Sequence, residues 1–163
     1  MKKIFAAFML GVFQIFFVSM APHAEEIAPA FGQIGRATAA KVVYISYRNH
    51  KSQIRVMRID GKKDKLVLAS RSGITNSTPR WSPNRKKIVF CRHLRSADEN
   101  SAEIYVVNAN GKGLKRLTKN KYADMHPSWS PDGKRIVFTS NRDGDFHLFT
   151  MNANGSAQTA LTD

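Results

Sequence analysis

Cysteine is nearly absent from this 163-residue chain, because Cys91 is its only example. A single thiol excludes an internal disulfide, so the fold depends on packing for its stability. Cys91 lies at the end of a predicted strand, and no His or Asp stands at the spacing of a catalytic motif. These features favour a small buried side chain over a reactive thiol.

The sequence also lacks the usual signatures of catalysis, with no Gly-x-Ser-x-Gly elbow, no paired catalytic carboxylates and no phosphate-binding loop. Its histidines fall in no metal spacing. Asn141, Asp143 and Asp145 have the alternate spacing of a calcium loop, but the glutamate that completes an EF-hand is missing, and a hairpin turn explains their Asp-Gly pair. We therefore predict a protein that is not an enzyme and has no catalytic residue, cofactor or metal.

The amino-terminal segment, residues 1–24, has the pattern of a secretory signal peptide. Lys2 and Lys3 give it a positive start, residues 4–18 are apolar except for one glutamine, and small residues lead to Ala24. We predict export and cleavage after Ala24, with Ala21 as the alternative. An uncleaved anchor stays open as an alternative, although the apolar run is shorter than the ~20 residues that span a bilayer.

Acidic residues are scarce, with 12 Asp and Glu against 26 Lys and Arg and a formal net charge of +14. An exported basic chain meets anionic lipid headgroups, cell-wall polymers and acidic proteins. The basic residues occur in different strands and loops of the sequence. This dispersion favours a solvated basic surface, and we predict no nucleic-acid partner.

Two stretches of the chain are nearly identical. Residues 79–90 read Pro-Arg-Trp-Ser-Pro-Asn-Arg-Lys-Lys-Ile-Val-Phe, and residues 127–138, which begin 48 positions later, read Pro-Ser-Trp-Ser-Pro-Asp-Gly-Lys-Arg-Ile-Val-Phe. Matching tails follow at residues 104–111 and 148–155. A repeat of about 40 to 50 residues with four short strand signals is typical of a β-propeller blade.

Within the last repeat we predict strands over residues 127–130, 134–140, 146–151 and 157–161, joined by turns rich in Asp and Gly. The preceding repeat has Asn84-Arg85 where the last has Asp132-Gly133. An arginine at positive φ costs about 1 kcal/mol, so we expect a different turn there. The connection at residues 92–102 is also four residues longer than its counterpart.

A third copy precedes these two, because residues 42–48 align with 136–142 and residues 54–61 align with 104–111. It lacks the Pro-x-Trp-Ser-Pro opening. The sequence therefore predicts an all-β protein, a partial β-propeller of about three four-stranded antiparallel blades with an incomplete first blade, over residues 38–163 after a linker at 25–37. We predict that Trp81 and Trp129 pack between blades; a sugar-stacking platform is the alternative.

The motif Pro-x-Trp-Ser-Pro-Asp-Gly-Lys-x-Ile-x-Phe, followed by Asn-x-Asp-Gly, resembles the blade repeat of the TolB family of periplasmic propeller proteins. Residues 38–163 are similar to the opening blades of such a propeller, without the amino-terminal domain and the later blades. The resemblance implies a periplasmic protein of the Tol-Pal system, which supports outer-membrane integrity and cell division. Related blades occur in prolyl-oligopeptidase-like serine hydrolases, so a fragment of such a propeller is the alternative.

Because neighbouring strands of a blade run in opposite directions, the loops between strands two and three lie on the same face as the crossings between blades. The TolB family receives its partner, the peptidoglycan-associated lipoprotein, on the face built from the crossings before Pro-x-Trp. The resemblance thus implies partner-binding residues in two groups: Thr75, Asn76, Ser77 and Thr78; and Ala123, Asp124, Met125 and His126. The alternative is that these are ordinary solvated turns.

Three blades in an open array leave sheet faces and edges exposed, whereas propellers close with about four to eight blades. We expect either a homodimer that completes a six-bladed ring or an unstable truncated product. After signal cleavage we expect no stable membrane insertion.

Overall fold

A computed structural model of the chain describes residues 40–94 and 102–163. The predicted signal peptide at residues 1–24 and the linker at 25–37 lie outside the described residues, as does most of the long connection at 95–101. The described ranges consist of β-strands and turns. Within them there is no helix that has the length and apolar character needed to cross a membrane.

The strands form three antiparallel sheets, which we call blades 1, 2 and 3. Blade 1 contains β1 (Lys41–Arg48), β2 (Lys51–Arg58) and β3 (Lys65–Ala69). Blade 2 contains β4 (Ile74–Trp81), β5 (Lys87–Leu94), β6 (Ala102–Asn108) and β7 (Lys115–Arg116). Blade 3 contains β8 (Asp124–Trp129), β9 (Arg135–Asp143), β10 (Asp145–Asn152) and β11 (Thr159–Ala160). The predicted all-β fold, a partial propeller with two complete blades and one incomplete blade, is confirmed.

The first strand of a complete blade is longer than the sequence predicts. β8 begins at Asp124 rather than at Pro127. Pairing with β9 resumes at Asp124 and Met125 after a shift of register between Met125 and Ser128. A β-bulge of this kind absorbs extra residues and lets the strand continue upstream of the proline.

The hydrophobic core lies between neighbouring blades. One buried cluster joins Ile54 of blade 1 to blade 2, with Trp81 packed against it; its members are Ile54, Ile88, Phe90 and Val107. A second cluster joins blade 2 to blade 3, with Trp129 packed against it; its members are Val89, Ile104, Val106, Leu117, Ile136, Phe138, Phe149 and Met151. Successive residues of β5 therefore serve opposite faces of blade 2. The prediction that both tryptophans pack between blades is confirmed.

The two Ser-Pro turns have the same geometry. The carbonyl of Ser130 accepts a hydrogen bond from the amide of Gly133 at 2.9 Å, and the carbonyl of Ser82 accepts one from the amide of Arg85 at 2.8 Å. The φ angles are 70° at Gly133 and 55° at Arg85. The expectation of a different turn in blade 2 is therefore wrong.

The side chain of Asn84 explains why blade 2 keeps this turn without glycine. Asn84 Oδ1 accepts hydrogen bonds from Ser82 Oγ at 2.9 Å and from the amide of Lys86 at 3.0 Å. Asp132 makes the equivalent contact with Ser130 Oγ at 2.6 Å. These bonds hold Arg85 in the left-handed region, which costs about 1 kcal/mol for a residue with a Cβ.

Glycine is required where a turn meets the preceding blade. A Cβ on Gly111 would lie 2.5 Å from the carbonyl oxygen of Val67 in blade 1, and one on Gly155 would lie 2.8 Å from the carbonyl oxygen of Leu117 in blade 2. The repeat-equivalent Gly61 of blade 1 has nothing within 4 Å of that position. The Asn-x-x-Gly turns thus fix the spacing between blades.

Candidate functional site

The strand directions give the blades two distinct faces. β4 and β8 begin on the side where the chain crosses from one blade to the next, and they end at the Ser-Pro turns on the other side. We call the first side the crossing face and the second the turn face. The predicted binding residues lie toward the crossing face, in the first strands of blades 2 and 3.

Thr75, Asn76, Ser77 and Thr78 belong to β4 and are not part of a turn. Thr75 pairs with His93 of β5, and Ser77 pairs with Cys91. Thr75, Ser77 and Thr78 are half-buried, whereas Asn76 is fully buried. Because these residues are held in a strand, the alternative of ordinary solvated turns does not describe them.

The side chain of Asn76 is committed to internal contacts. Its Oδ1 accepts a hydrogen bond from Arg92 Nε at 2.9 Å, and the backbone N–H of Asn76 donates to Ser52 Oγ of blade 1 at 2.7 Å. Asn76 therefore connects blade 2 to blade 1, and it presents no surface to a partner.

Asp124 is the repeat equivalent of Asn76 and is also fully buried. Its carboxylate oxygens accept hydrogen bonds from the Nη2 of Arg142 at 3.0 and 3.2 Å. Asp124 Oδ2 accepts a further bond from Asn120 Nδ2 at 2.7 Å. Ala123 is buried beside it, and its amide donates to Asn141 Oδ1 at 2.8 Å. Both residues order the crossing between blades 2 and 3.

Each complete blade contains an arginine that lies over an aromatic pair. The guanidinium carbon of Arg92 lies 5.5 and 4.7 Å from the ring centroids of Phe90 and Tyr105. That of Arg142 lies 5.5 and 4.6 Å from the rings of Phe138 and Phe149 in blade 3. The buried Asn76 and Asp124 orient these two arginines, and cation–π contact stabilises them further. Asn76 and Asp124 lie 48 residues apart, which is the spacing of the repeat, so the sequence does indicate that they occupy equivalent positions.

A β-bulge occurs at the same repeat position in both first strands. Thr78 has φ 46° and His126 has φ 53°, and each directly precedes the proline of the Pro-x-Trp motif. The registers of β4 with β5 and of β8 with β9 shift across these positions. Bulges with a residue at positive φ re-aim side chains, and they are over-represented next to active sites.

Met125 and His126 are the accessible members of the second group. Met125 is half-buried against a small cluster formed by Cys91, Ala102 and Ala123. His126 is exposed, and its Nδ1 lies 3.3 Å from Thr139 Oγ1. Five of the eight predicted residues are half-buried or exposed, namely Thr75, Ser77, Thr78, Met125 and His126, but the hydroxyl oxygen of Thr78 is itself buried.

A small polar group surrounds His93 at the boundary between blades 2 and 3. His93 Nε2 lies 3.1 Å from Ser77 Oγ and 3.4 Å from Cys91 Sγ. Burial lowers the pKa of His93 below its usual value, and the nearby His126 lowers it further. The group provides hydrogen-bond donors and acceptors toward the crossing face, and sequence analysis did not identify it.

Burial also determines the chemistry of Cys91. Its pKa is raised to about 12, chiefly because the thiolate would be desolvated. A buried thiol with this pKa is a weak nucleophile at neutral pH.

The residues with calcium-like spacing adopt the geometry of a hairpin. Asn141 Oδ1 is engaged by the amide of Ala123, and the described residues contain no cluster of His, Cys, Asp and Glu suited to a metal. β9 extends through Asn141 to Asp143, and Gly144 with φ 106° turns the chain into β10. This geometry explains the Asp-Gly pair as a hairpin.

Solved structures share this architecture. A candidate TolB of Agrobacterium tumefaciens superposes with a TM-score of 0.63 at 24% identity, over 76% of this chain and 45% of that chain. TolB of Acinetobacter baumannii gives a TM-score of 0.62 at 22% identity, over 78% of this chain and 31% of that chain. A puromycin-hydrolysing peptidase of Mycobacterium tuberculosis gives 0.56 at 15% identity, over 69% of this chain and 18% of that chain. At these identities the likeness concerns the fold alone, and the chain spans less than half the length of the TolB structures.

The sequence itself matches a family profile. The profile of the TolB beta propeller domain covers residues 19–163, which include all the described strands. Its match agrees with the three blades, the inter-blade tryptophans and the repeated Ser-Pro turns. The chain belongs to the TolB beta propeller domain family.

Proposed function

We propose that this chain is an exported, non-catalytic protein-binding module of the periplasm that acts in the Tol-Pal cell-envelope system. Its partner in this proposal is the peptidoglycan-associated lipoprotein, received on the crossing face. The observation that carries the proposal is the bulge repeated at Thr78 and His126, which occupies equivalent points of neighbouring blades and leaves the His126 side chain exposed. Bulges re-aim side chains and are over-represented next to active sites.

The contact surface in this proposal is narrower than the eight residues suggested by the sequence. Thr75, Ser77 and Met125 are half-buried and His126 is exposed, and Thr78 is half-buried with its hydroxyl oxygen enclosed, whereas Asn76, Ala123 and Asp124 are buried. His93 lies next to Ser77 and extends the polar part of the surface. A partner would meet hydroxyl and imidazole groups beside one flexible thioether, which suits an adaptable protein contact.

Binding can be tested with the purified soluble domain of the lipoprotein by isothermal titration calorimetry. We expect Thr75→Lys and His126→Asn each to weaken binding at least tenfold, because central contact residues dominate an interface. Asparagine tolerates positive φ, so His126→Asn keeps the bulge. Thr159→Lys on the exposed outer strand β11 is the matched control and should leave affinity unchanged. Equal affinity in all three variants would contradict the proposed surface.

Export is tested separately by cell fractionation. An epitope-tagged chain should be recovered in the osmotic-shock fraction and should be shorter than its precursor. Recovery in the cytoplasm at full length would contradict the periplasmic assignment while leaving the binding measurement in place.

A fragment of a hydrolase propeller is the second candidate, favoured by the structural likeness to the puromycin-hydrolysing peptidase. The chain has no Gly-x-Ser-x-Gly elbow, so a hydrolase role needs a second domain. Treatment of the protein, as isolated from cells, with a fluorophosphonate probe discriminates the two candidates. We expect no labelled serine in the chain or in any protein that co-purifies with it, and a labelled companion would favour the hydrolase.

We also propose that two copies of the chain complete a six-bladed ring. Leu161 is 57% exposed, whereas its repeat equivalent Leu117 is 8% exposed at the boundary of blades 2 and 3. Leu148 is 43% exposed, whereas its equivalent Ile104 is fully buried. In the ring, blade 1 of one copy would cover Leu148 and Leu161 in blade 3 of the other copy. The open position at Gly61 of blade 1 would lie at this contact.

Light scattering coupled to size-exclusion chromatography tests this assembly. We expect a homogeneous dimer that Leu148→Lys dissociates. Leu114→Lys is the matched control, because Leu114 is 42% exposed but lines a cleft between blades 1 and 2 of a single copy. A wild-type monomer or a heterogeneous aggregate would contradict the ring.

A further inference from the structure

The fold collects on the turn face many basic residues that are far apart in the sequence. The face comprises the start of β1 and the turn segments 58–63, 82–87, 108–113, 130–135 and 152–157. Ten cationic side chains lie there: Lys41, Arg58, Lys62, Lys63, Arg85, Lys86, Lys87, Lys112, Lys134 and Arg135. Two carboxylates, Asp60 and Asp132, lie in these segments, and Asp64, which ends the turn from β2 to β3, is paired with Arg55. Residues that are scattered in the sequence thus share one face of the fold.

These cations are largely free to meet a partner. Nine of the ten are exposed, and only Arg58 has an ion pair within the described residues, with Asp60 at 2.9 Å. Asp132 accepts hydrogen bonds from Ser130 Oγ and the amide of Lys134, so its carboxylate is engaged in its own turn. The turn face therefore carries an excess of eight positive charges.

The crossing face has a different balance. Its described segments, 48–51, 70–75, 92–94, 102–103, 117–126, 141–147 and 161–163, contain seven Lys and Arg against five Asp and Glu. Arg142 is paired with the buried Asp124 there. Among the described residues, the positive charge is thus concentrated on the side opposite the proposed partner-binding surface.

The shape and composition of the turn face select among anionic partners. Its cations are spread over short turns of all three blades, and seven of the nine exposed ones are lysines. Lysine binds phosphate as a point charge, whereas base recognition favours arginine forks and exposed aromatic rings. Trp81 and Trp129, which adjoin these turns, are packed against the inter-blade clusters. A broad lysine-rich face suits a flat array of phosphates.

We propose that the turn face docks onto an anionic phospholipid bilayer. Each Lys or Arg near such a surface adds to binding, and the attraction is lost beyond about one Debye length. The crossing face would then point away from the lipid and stay open to a protein partner. This inference rests on the export that is part of the proposed function, because export gives access to lipid, but it does not depend on the lipoprotein partner.

Sedimentation with vesicles tests the proposal on the protein as cells export it. The vesicles contain either phosphatidylcholine alone or phosphatidylcholine with phosphatidylglycerol. The test variant reverses four turn-face charges, Lys62→Glu, Lys86→Glu, Lys112→Glu and Lys134→Glu. The matched control reverses four crossing-face charges, Lys51→Glu, Arg71→Glu, Lys119→Glu and Lys121→Glu. All eight residues are exposed, and both variants have the same net charge and the same amino terminus.

We expect binding to the anionic vesicles only, with the turn-face variant weakened by roughly a thousandfold and the crossing-face variant by less than about tenfold. Raising the salt from about 0.1 to 1 M should release the wild type. If the glutamate variant does not fold, as judged by circular dichroism, the corresponding glutamine variant replaces it.

Equal loss of binding to anionic vesicles in both four-residue variants would overturn the proposal, because net charge alone would then explain the binding. Absence of wild-type binding to anionic vesicles would also overturn it. If the turn-face variant instead lost retention on a heparin column while vesicle binding was unaffected, the partner would be an acidic polysaccharide, and the lipid assignment would be wrong. Each outcome is independent of the lipoprotein titration.

Discussion

Replacement of Asp124 separates a structural role from a role in partner binding. Asp124 is fully buried, and its carboxylate pairs with Arg142 at 3.0 Å and accepts from Asn120 at 2.7 Å. In Asp124→Ala the guanidinium remains held over the rings of Phe138 and Phe149 and by Gln158 Oε1 at 3.0 Å, so it keeps its charge without its carboxylate. Removing one partner of a buried pair costs about 3–5 kcal/mol.

Asp124→Asn is the informative companion variant, because Asn76 occupies the equivalent position in blade 2 and accepts from Arg92 at 2.9 Å. The amide oxygen can still accept from Arg142. The unfolding free energy of Asp124→Asn should therefore fall by the difference between a charge-assisted and a neutral hydrogen bond, about 1–2 kcal/mol. We therefore expect the order wild type, Asp124→Asn, Asp124→Ala in unfolding free energy.

Urea denaturation followed by tryptophan fluorescence measures this order. His126→Asn serves as the control, because the exposed imidazole lies in the same strand and its loss should change the unfolding free energy by less than about 0.5 kcal/mol. An Asp124→Ala protein within about 1 kcal/mol of wild type would refute the structural role. In that case Asp124 would be a candidate contact residue.

Three further predictions concern local geometry and ionisation. Arg85→Gly should raise the unfolding free energy by about 1 kcal/mol and Gly133→Ala should lower it by about as much, because both positions have positive φ. Unchanged denaturation midpoints in both variants would contradict the predicted backbone strain. Cys91, with a pKa of about 12, should resist a thiol reagent such as dithionitrobenzoate at pH 7.5 in the native state and react fully in urea; rapid native labelling would show that the thiol is exposed. The lowered pKa of His93 means that the folded state binds fewer protons than the unfolded state, so the unfolding free energy should fall as pH falls through about 6.5 toward the folded pKa. His93→Gln should flatten that decline. An unchanged pH dependence in the variant would contradict the assignment.

The repeat determined how much of the fold was predictable. The residue pattern around Trp81 and Trp129 places four strands per blade, and the missing Pro-x-Trp-Ser-Pro opening correctly indicates that blade 1 is incomplete. The turn at Arg85 differs from the prediction because the hydrogen bonds of Asn84 outweigh the intrinsic preference of arginine against positive φ. Local side-chain contacts of this kind can hold a residue in the left-handed region.

The site was less predictable, because burial depends on contacts between strands. Asn76 and Asp124 are polar and are among the eight residues that the resemblance implies as contacts, but each is buried and orients an arginine that lies on another strand. The basic turn face was missed for a related reason. Its lysines are separated in sequence and become neighbours only when each turn is assigned to the same side of its blade.

Side-by-side packing of the blades is the central claim, and the two tryptophans test it most directly. In nuclear Overhauser spectra of methyl-labelled protein, we expect the ring of Trp81 to show cross-peaks to methyl groups of Ile54 in blade 1, and the ring of Trp129 to show cross-peaks to those of Val89 and Ile104 in blade 2. Assignment is simple because the chain has only 2 tryptophans. Cross-peaks confined to each tryptophan's own repeat would contradict the stacking of blades and, with it, the positions of both faces.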